Sequence, residues 1–258
     1  MNAPLVAIEL GRRHYGEVLE LQRSLCRRRA AGELGEDLLL LVEHEPVVTL
    51  GRSTRPGSLA LPRELLERRG LEIFEVERGG DVTLHAPGQL VGYPILDLGG
   101  WRRDLHWYLR QLEESLIRGL GRLDVAAERN PGKTGVWTGG CKIASIGIHV
   151  KQWVTMHGFA LNVTTDLALF DFIVPCGIAG VRMTSVAQQR GGAASSLWGE
   201  AQHAVVAAFA AVFEREIEFR PSARMQRSEL QIATAPRGTR EVGRPCGGTE
   251  PYPLPPAP

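Results

Sequence analysis

The sequence has very little lysine. Of its 30 Lys and Arg residues, only Lys133, Lys142 and Lys151 are lysines. A genomic bias toward G and C explains an arginine excess, so we attach no function to the skew itself. The formal net charge of +1 gives no overall attraction to polyanions. We therefore expect neither nucleic acid nor a membrane among the partners.

Long hydrophobic runs are absent as well. The longest uninterrupted apolar stretch, 204–213, has ten residues, whereas a helix needs about 20 to span a bilayer. The first residues, MNAPLVAIELGRR, lack a basic start, and Glu9 interrupts their apolar part. These features predict a cytoplasmic protein without a signal peptide.

Cysteines are few and widely spaced: Cys26, Cys141, Cys176 and Cys246. In the cytoplasm we expect them to stay reduced, which argues against disulfides. No C-x-x-C pair or Cys/His cluster has the spacing of a zinc site. The chain also has neither a G-x-G-x-x-G motif nor a P-loop. We expect no metal and no cofactor.

Hydrophobic periodicity predicts an α+β domain with a mixed sheet. Helical spacing occurs at 15–26, at 105–116 behind a capping Asp104, and at 205–213. Strand-like runs occupy 38–44, 46–51, 71–77, 89–98, 141–150 and 153–163. Only two residues separate the last two runs, which predicts an antiparallel hairpin. The elements do not alternate strictly as βαβ units.

The composition changes after Arg220. Eight of the 16 prolines lie in the last 38 residues. This bias predicts a disordered carboxyl-terminal tail, residues 220–258, that the chemistry does not require. The folded domain is then expected to be 1–219.

Two glycine-rich stretches could hold a ligand. In ERGGDVTLHAPGQLVGYP (77–94), glycines allow close backbone approach and the polar Arg78 and His85 flank the loop; the pattern alone favours a plain hairpin. In the hairpin 141–163, Gly147 and Gly158 leave gaps where a slender ligand could lie. Alternation places Lys142 on one face with Ala144, Ile146 and Ile148. Lys142 is thus a candidate base, or it starts the strand and extends to water.

The stretch FIVPCGIAG places Cys176 between Pro175 and Gly177. A thiol in such a turn is presented for reaction, although a small buried cysteine fits the pattern as well. A nucleophilic thiol needs a base, and His85, His149, His157 and Lys142 are all available. Their spacing does not choose among them.

Three blocks together resemble a known family: RGGDVTLHAPGQLVGYPI (78–95), GGCKIASIGIHV with WVTMHGFALNV (139–163), and FIVPCGIAGVRMTS (172–185). They are similar to the octanoyltransferases of lipoate biosynthesis, the lipoyl(octanoyl) transferases. Lipoate and biotin ligases lack the Pro-Cys-Gly block. The resemblance implies the biotin/lipoate protein ligase-like catalytic domain, a mixed β-sheet flanked by helices.

The resemblance also implies residue roles. Cys176 would carry the acyl group as a thioester, and Lys142 would be its proton-shuttling partner. The substrate-binding residues would be Arg78, Gly79, Gly80, Asp81, Val82, Thr83, Leu84, His85, Ser145, Ile146, Gly147, Gly158, Phe159 and Ala160. Cys141 departs from the family pattern as a second thiol, but alternation turns it away from Lys142.

The implied reaction moves an octanoyl group from octanoyl-acyl carrier protein to a lysine of a lipoyl domain. The acceptors would be lipoyl domains of 2-oxoacid dehydrogenase complexes and the glycine-cleavage protein. Arg78 or Arg182 would dock the acidic carrier protein and lipoyl domains. Three alternatives remain at this point. They are an ATP-dependent lipoate ligase, a cysteine hydrolase or amidase, and a non-catalytic module that binds carrier protein.

Overall fold

The computed structural model describes residues 4–174 and 180–221. Its strands in these ranges are β1 (Leu5–Arg13), β2 (Asp37–His44), β3 (Val47–Leu50), β4 (Glu72–Glu75), β5 (Val82–His85), β6 (Gln89–Ile95), β7 (Glu128–Asn130), β8 (Lys133–Thr138), β9 (Cys141–Lys151), β10 (Val154–Asn162) and β11 (Ile217–Pro221). The α-helices are α1 (Tyr15–Ala30), α2 (Arg63–Arg68), α3 (Leu105–Gly121), α4 (Val186–Gln189) and α5 (Leu197–Val212), and a 3₁₀-helix spans Leu167–Phe172.

The main sheet has eight strands in the order β11-β1-β2-β6-β10-β9-β8-β7. Strand β1 runs parallel to β2 and β11, and the other neighbours are antiparallel. A smaller sheet has the order β4-β3-β5. The expected mixed sheet is therefore confirmed.

Helices cover both faces of the main sheet. Strand β2 is apolar on both sides and packs against a core on each face. Leu39 and Leu41 pack in a core with α3 and α5. Leu38 and Leu40 point to a second core, built with α1. A third cluster lies beneath the small sheet and includes Leu84. A strand buried on both faces reads as a continuous apolar run, as the sequence of β2 does.

Several predicted elements are confirmed. Strands β9 and β10 form the antiparallel hairpin, with Gly158 opposite Gly147. Asp104 caps α3, since its side chain accepts a 2.9 Å hydrogen bond from the N–H of Trp107. Cys26 is buried on the inner face of α1. Within the described ranges, no helix is long and apolar enough to cross a bilayer.

The carboxyl-terminal strand extends further than expected. β11 pairs with β1 from Ile217 to Pro221, two residues beyond the boundary at 219. Arg220 also forms an ion pair with Glu36, at 3.1 Å. The folded part therefore reaches at least Pro221.

Candidate active site

A cavity of about 400 Å³ opens beside the β9–β10 hairpin. Residues from the loop before β5, from β5 itself and from the hairpin line it, together with Tyr15 of α1 and Tyr93 of β6. The predicted site residues in its wall are Arg78, Gly80, Asp81, Val82, Thr83, His85, Lys142, Ser145, Ile146, Gly147, Gly158, Phe159 and Ala160. The first two sequence blocks thus meet at one cavity.

Three predicted site residues are not in the described wall. Gly79 donates its N–H to the carbonyl oxygen of Ile148 at 2.8 Å, which ties the glycine-rich loop to β9. Leu84 is buried in the core of the small sheet. Cys176 lies outside the described residues.

Lys142 is buried, with 2% of its surface exposed. Its Nζ lies 5.8 Å from the ring centre of Trp137. The lysine therefore does not extend to bulk water, the fate that is usual for a lysine at the start of a strand. Within the described wall, the half-buried Lys133 contributes a second ammonium, 5.4 Å from the same Trp137 ring.

A β-bulge alters the expected alternation around Lys142. Trp137 pairs with Lys142, but Val136 pairs with Ala144, so one step on β8 matches two on β9. The prediction that Lys142 and Ala144 share one face of a regularly alternating β9 is therefore wrong at this bulge. The extra residue explains why Lys142 and Ser145, three positions apart, both line the cavity. Cys141 is half-buried and is not part of the described wall, as expected.

The chain on both sides of Cys176 is tied down by backbone hydrogen bonds. Before it, Val174 donates its N–H to the carbonyl oxygen of Ser58 at 2.8 Å. After it, the backbone N–H of Lys142 donates to the carbonyl oxygen of Arg182 at 2.8 Å. The N–H of Thr184 donates to the carbonyl oxygen of Lys142 at 3.0 Å. Residues 182–184 of the third sequence block therefore run beside Lys142.

A side-chain network links the three blocks. Gln89 Nε2 donates to the carbonyl oxygen of Leu84 and to Asn162 Oδ1, at 3.3 and 2.9 Å. Its Oε1 must then accept from His85 Nδ1, 2.8 Å away. Asn162 Nδ2 donates in turn to the carbonyl oxygen of Thr184 at 3.0 Å. These bonds hold His85 in the tautomer with Nε2 as acceptor.

The buried histidines are poor proton carriers. Burial lowers the pKa of His85 to about 3 and that of His44 to about 4. Burial also lowers the pKa of His157, although Glu77 opposes the shift. His149 is not in the described wall. Of the four candidate bases, His85, His157 and Lys142 line the cavity. Burial disfavours protonation of the two imidazoles, which leaves Lys142 as the strongest candidate for proton transfer.

Arg78 is not the exposed docking residue that was expected. It is buried, and its Nη2 donates to the carbonyl oxygen of Thr49 at 2.7 Å and to Thr49 Oγ1 at 2.9 Å. Its Nη1 donates to the carbonyl oxygen of Gly79 at 3.1 Å, so Arg78 bonds the small sheet to the glycine-rich loop. Arg182 is exposed and remains a candidate for docking.

The cavity wall includes residues that the sequence analysis missed. They are Tyr15, Ser53, Arg55, Tyr93, Gly132, Lys133, Thr134 and Trp137. Tyr15 stacks on His85 with ring centres 5.7 Å apart, and Tyr93 bonds His44 Nε2 at 2.9 Å. Burial raises the pKa of both tyrosines, which stay neutral. Tyr15 fits the apolar face of its helix, so its pattern gave no separate signal.

Comparisons with known proteins agree with this geometry. Residues 14–210 match the family model of the lipoyl protein ligase A/B catalytic domain. An octanoyltransferase of Geobacter sulfurreducens is 47% identical over 232 residues, which are 90% of this chain and 94% of that protein. One of Nostoc sp. is 50% identical over 196 residues, 76% of this chain and 86% of that protein.

Solved structures show the same fold at low identity. A lipoate-protein ligase A bound with ATP superposes with a TM-score of 0.71 at 17% identity, covering 90% of this chain and 94% of that one. A structure of a bi-partite lipoate protein ligase and its E2 lipoyl domain from Thermoplasma acidophilum superposes with a TM-score of 0.66 at 16% identity. The match covers 89% of this chain and 91% of that one. With the matched domain model and relatives near half identity, the chain belongs to the lipoyl protein ligase A/B catalytic domain family.

Proposed function

We propose that this protein transfers an octanoyl group from octanoyl-acyl carrier protein to a lysine of lipoyl domains, in the cytoplasm, through a thioester on Cys176. The acceptors are lipoyl domains of 2-oxoacid dehydrogenase complexes and the glycine-cleavage protein. The octanoyltransferases named above support the reaction class. The observation that carries the proposal is the burial of Lys142 in the wall of a cavity, beside the chain that follows Cys176.

In the first half-reaction, Lys142 takes the proton of the Cys176 thiol. A free thiol is only a few per cent ionised at neutral pH, and a nearby cation favours the thiolate. The thiolate attacks the carbonyl carbon of the octanoyl thioester. The bond from that carbon to the carrier's sulfur then breaks, and the leaving sulfur takes the proton from the Lys142 ammonium.

In the second half-reaction, the acceptor lysine arrives with a neutral amine. Its nitrogen attacks the acyl carbon, the bond to the sulfur of Cys176 breaks, and an amide forms. Neutral Lys142 takes the surplus amine proton and returns it to the thiolate, so the enzyme is regenerated. Converting a thioester to an amide is downhill, and the cycle needs no ATP.

The cavity wall supplies apolar contacts for the acyl chain. Val82, Ile146, Phe159 and Ala160 are the apolar members of the proposed substrate site that line it. Gly147 and Gly158 face each other across the hairpin. The space beside them is filled by Arg78 and Gly79 and by Gly92 and Pro94, so these glycines allow close packing and do not leave the expected gaps. Each buried methylene contributes about 0.8 kcal/mol. Chain length is therefore selected only weakly unless the end of the cavity excludes longer chains.

The test is a transfer assay without nucleotide. The protein, octanoyl-acyl carrier protein and a lipoyl domain are mixed, and mass spectrometry measures the lipoyl domain. We expect one octanoyl group per acceptor, and none on a lipoyl domain whose target lysine is arginine. A requirement for ATP with free octanoate would indicate a ligase. Release of octanoate without acceptor would indicate a hydrolase.

A further inference from the structure

A buried carboxylate lies behind the cavity wall. Glu113 of α3 is 1% exposed. Its Oε2 accepts from Arg129 Nε at 3.2 Å and from Arg110. Both arginines reach solvent, with 38% and 58% of their side chains exposed. The ion pairs therefore use one oxygen of Glu113 and leave the other for a separate partner.

That other oxygen holds the backbone of β8. Glu113 Oε1 accepts the N–H of Gly135 at 3.2 Å, from a residue 22 positions along the chain. Gly135 has φ of +124°, a backbone conformation that favours glycine. A buried N–H without an acceptor is costly, so the carboxylate stabilises this conformation.

Gly135 makes the space in which Lys142 lies. A Cβ added at Gly135 would lie 2.7 Å from Lys142 Cε and 3.3 Å from its Nζ. It would also lie 2.6 Å from the carbonyl oxygen of Ala144, at the β-bulge. The end of the lysine side chain thus packs directly against the backbone that Glu113 holds.

We propose that Glu113 is a positioning residue for Lys142, acting through Gly135. Loss of the carboxylate frees the Gly135 peptide to rotate, and the ammonium then leaves its place in the cavity wall. The effect on catalysis rests on the proposed function, whereas the effect on the position of Lys142 does not. The two are therefore tested by separate measurements.

The first measurement uses the scarcity of lysine. A protein labelled with ¹³C-lysine gives ε-methylene NMR signals from three residues, each assigned by a Lys→Arg variant. Glu113→Ala should move the Lys142 signal and leave that of the exposed Lys151 in place. Should that variant not fold, Glu113→Asp, which shortens the reach to Gly135, should move it in the same way.

Two controls separate positioning from general damage. Arg129→Gln removes an ion pair of the same carboxylate but keeps its bond to Gly135. Asp37→Asn disturbs another buried carboxylate, which pairs with Arg29 and Arg215 at 2.9 and 3.2 Å. Neither control should move the Lys142 signal. An unmoved Lys142 signal in folded Glu113→Ala, or an equal movement in Asp37→Asn, would overturn the proposal.

The second measurement is the rate of thioester formation. A displacement of about 1 Å can cost about 100-fold, so we expect Glu113→Ala to slow the step by that order while KM for the octanoyl donor changes little. The pH of half-maximal rate should rise, since a displaced cation favours the thiolate less. A moved NMR signal with an unchanged rate and pH profile would leave Glu113 as a positioning residue but contradict the role of Lys142.

Discussion

The N–H of Thr184 donates a 3.0 Å hydrogen bond to the carbonyl oxygen of Lys142. Together with the bond from Lys142 to Arg182, it pairs the chain after Cys176 with the strand that carries the lysine. On the other side, Val174 is bonded to Ser58. These bonds explain how two distant sequence blocks can serve one site.

The role of Lys142 is tested by Lys142→Arg. A guanidinium stays protonated at every working pH and cannot shuttle a proton, and it is larger than the ammonium that packs beside Gly135. We expect octanoyl transfer to fall by at least about 100-fold, while circular dichroism shows an intact fold. Lys151→Arg, on the exposed end of β9, should keep full activity. Undiminished turnover in Lys142→Arg would return the base role to a histidine.

Asn162 is expected to hold the third block in place. Asn162→Ala breaks the link between Gln89 and Thr184, and each buried group left unpaired costs about 1–3 kcal/mol. We expect a lower free energy of unfolding, measured in urea, and a slower formation of the octanoyl thioester. Ser115→Ala removes a buried hydroxyl in α3, bonded to Gln111, and should leave the thioester rate unchanged. Equal rates in the wild type and Asn162→Ala would contradict this role.

Sequence patterns predicted the parts of the fold that depend on local order. The Asp104 cap and the hairpin follow from residues that are close together in the sequence. Five strands were not predicted: β1, β5, β7, β8 and β11. Strand β7 has only three residues, and Gly135 interrupts the alternation of β8. The same reasoning could not show the bulge beside Lys142, since a bulge shifts the register without changing composition.

The candidate site was predictable only where residues lie in one motif. The loop at 78–85 and the hairpin supplied most of the predicted wall. Tyr15 was assigned to the apolar face of a helix, and Trp137 lies on β8, a strand that was not predicted. The burial of Arg78 depends on Thr49, and that of Glu113 on Arg129. Such pairings need the three-dimensional packing of separate elements.

The buried imidazoles should make stability depend on pH. His44 and His85 have folded pKa values of about 4 and about 3, below the 6.5 of the unfolded chain. The unfolded state therefore binds more protons below pH 6.5, so stability is fully present above that value and falls with decreasing pH. We expect each imidazole to lower the free energy of unfolding by roughly 2 kcal/mol when the pH falls from 7.5 to 5.

Urea unfolding at the two pH values checks this expectation. His44→Gln should shrink the difference between the two free energies of unfolding, because glutamine does not titrate. His106→Gln, at an exposed position on α3, should leave the difference as in the wild type. A wild-type protein equally stable at both pH values would show that these imidazoles do not control the acid response.

The carboxyl-terminal tail is expected to be dispensable. Truncation after Pro221 keeps all of β11 and should leave the transfer rate nearly unchanged. Truncation after Glu216 removes the strand that pairs with β1 and the Arg220–Glu36 ion pair, so the melting temperature should fall. A large loss of transfer rate in the first truncation would show that residues 222–258 take part in the reaction.

The most direct test of the account is the intact mass of the protein after incubation with octanoyl-acyl carrier protein. We expect one octanoyl adduct on the wild type, none on Cys176→Ser, and an unchanged adduct on Cys141→Ser. Addition of a lipoyl domain should remove the adduct and place it on that domain. An octanoyl adduct that persists on Cys176→Ser, or one that the lipoyl domain does not discharge, would contradict the account.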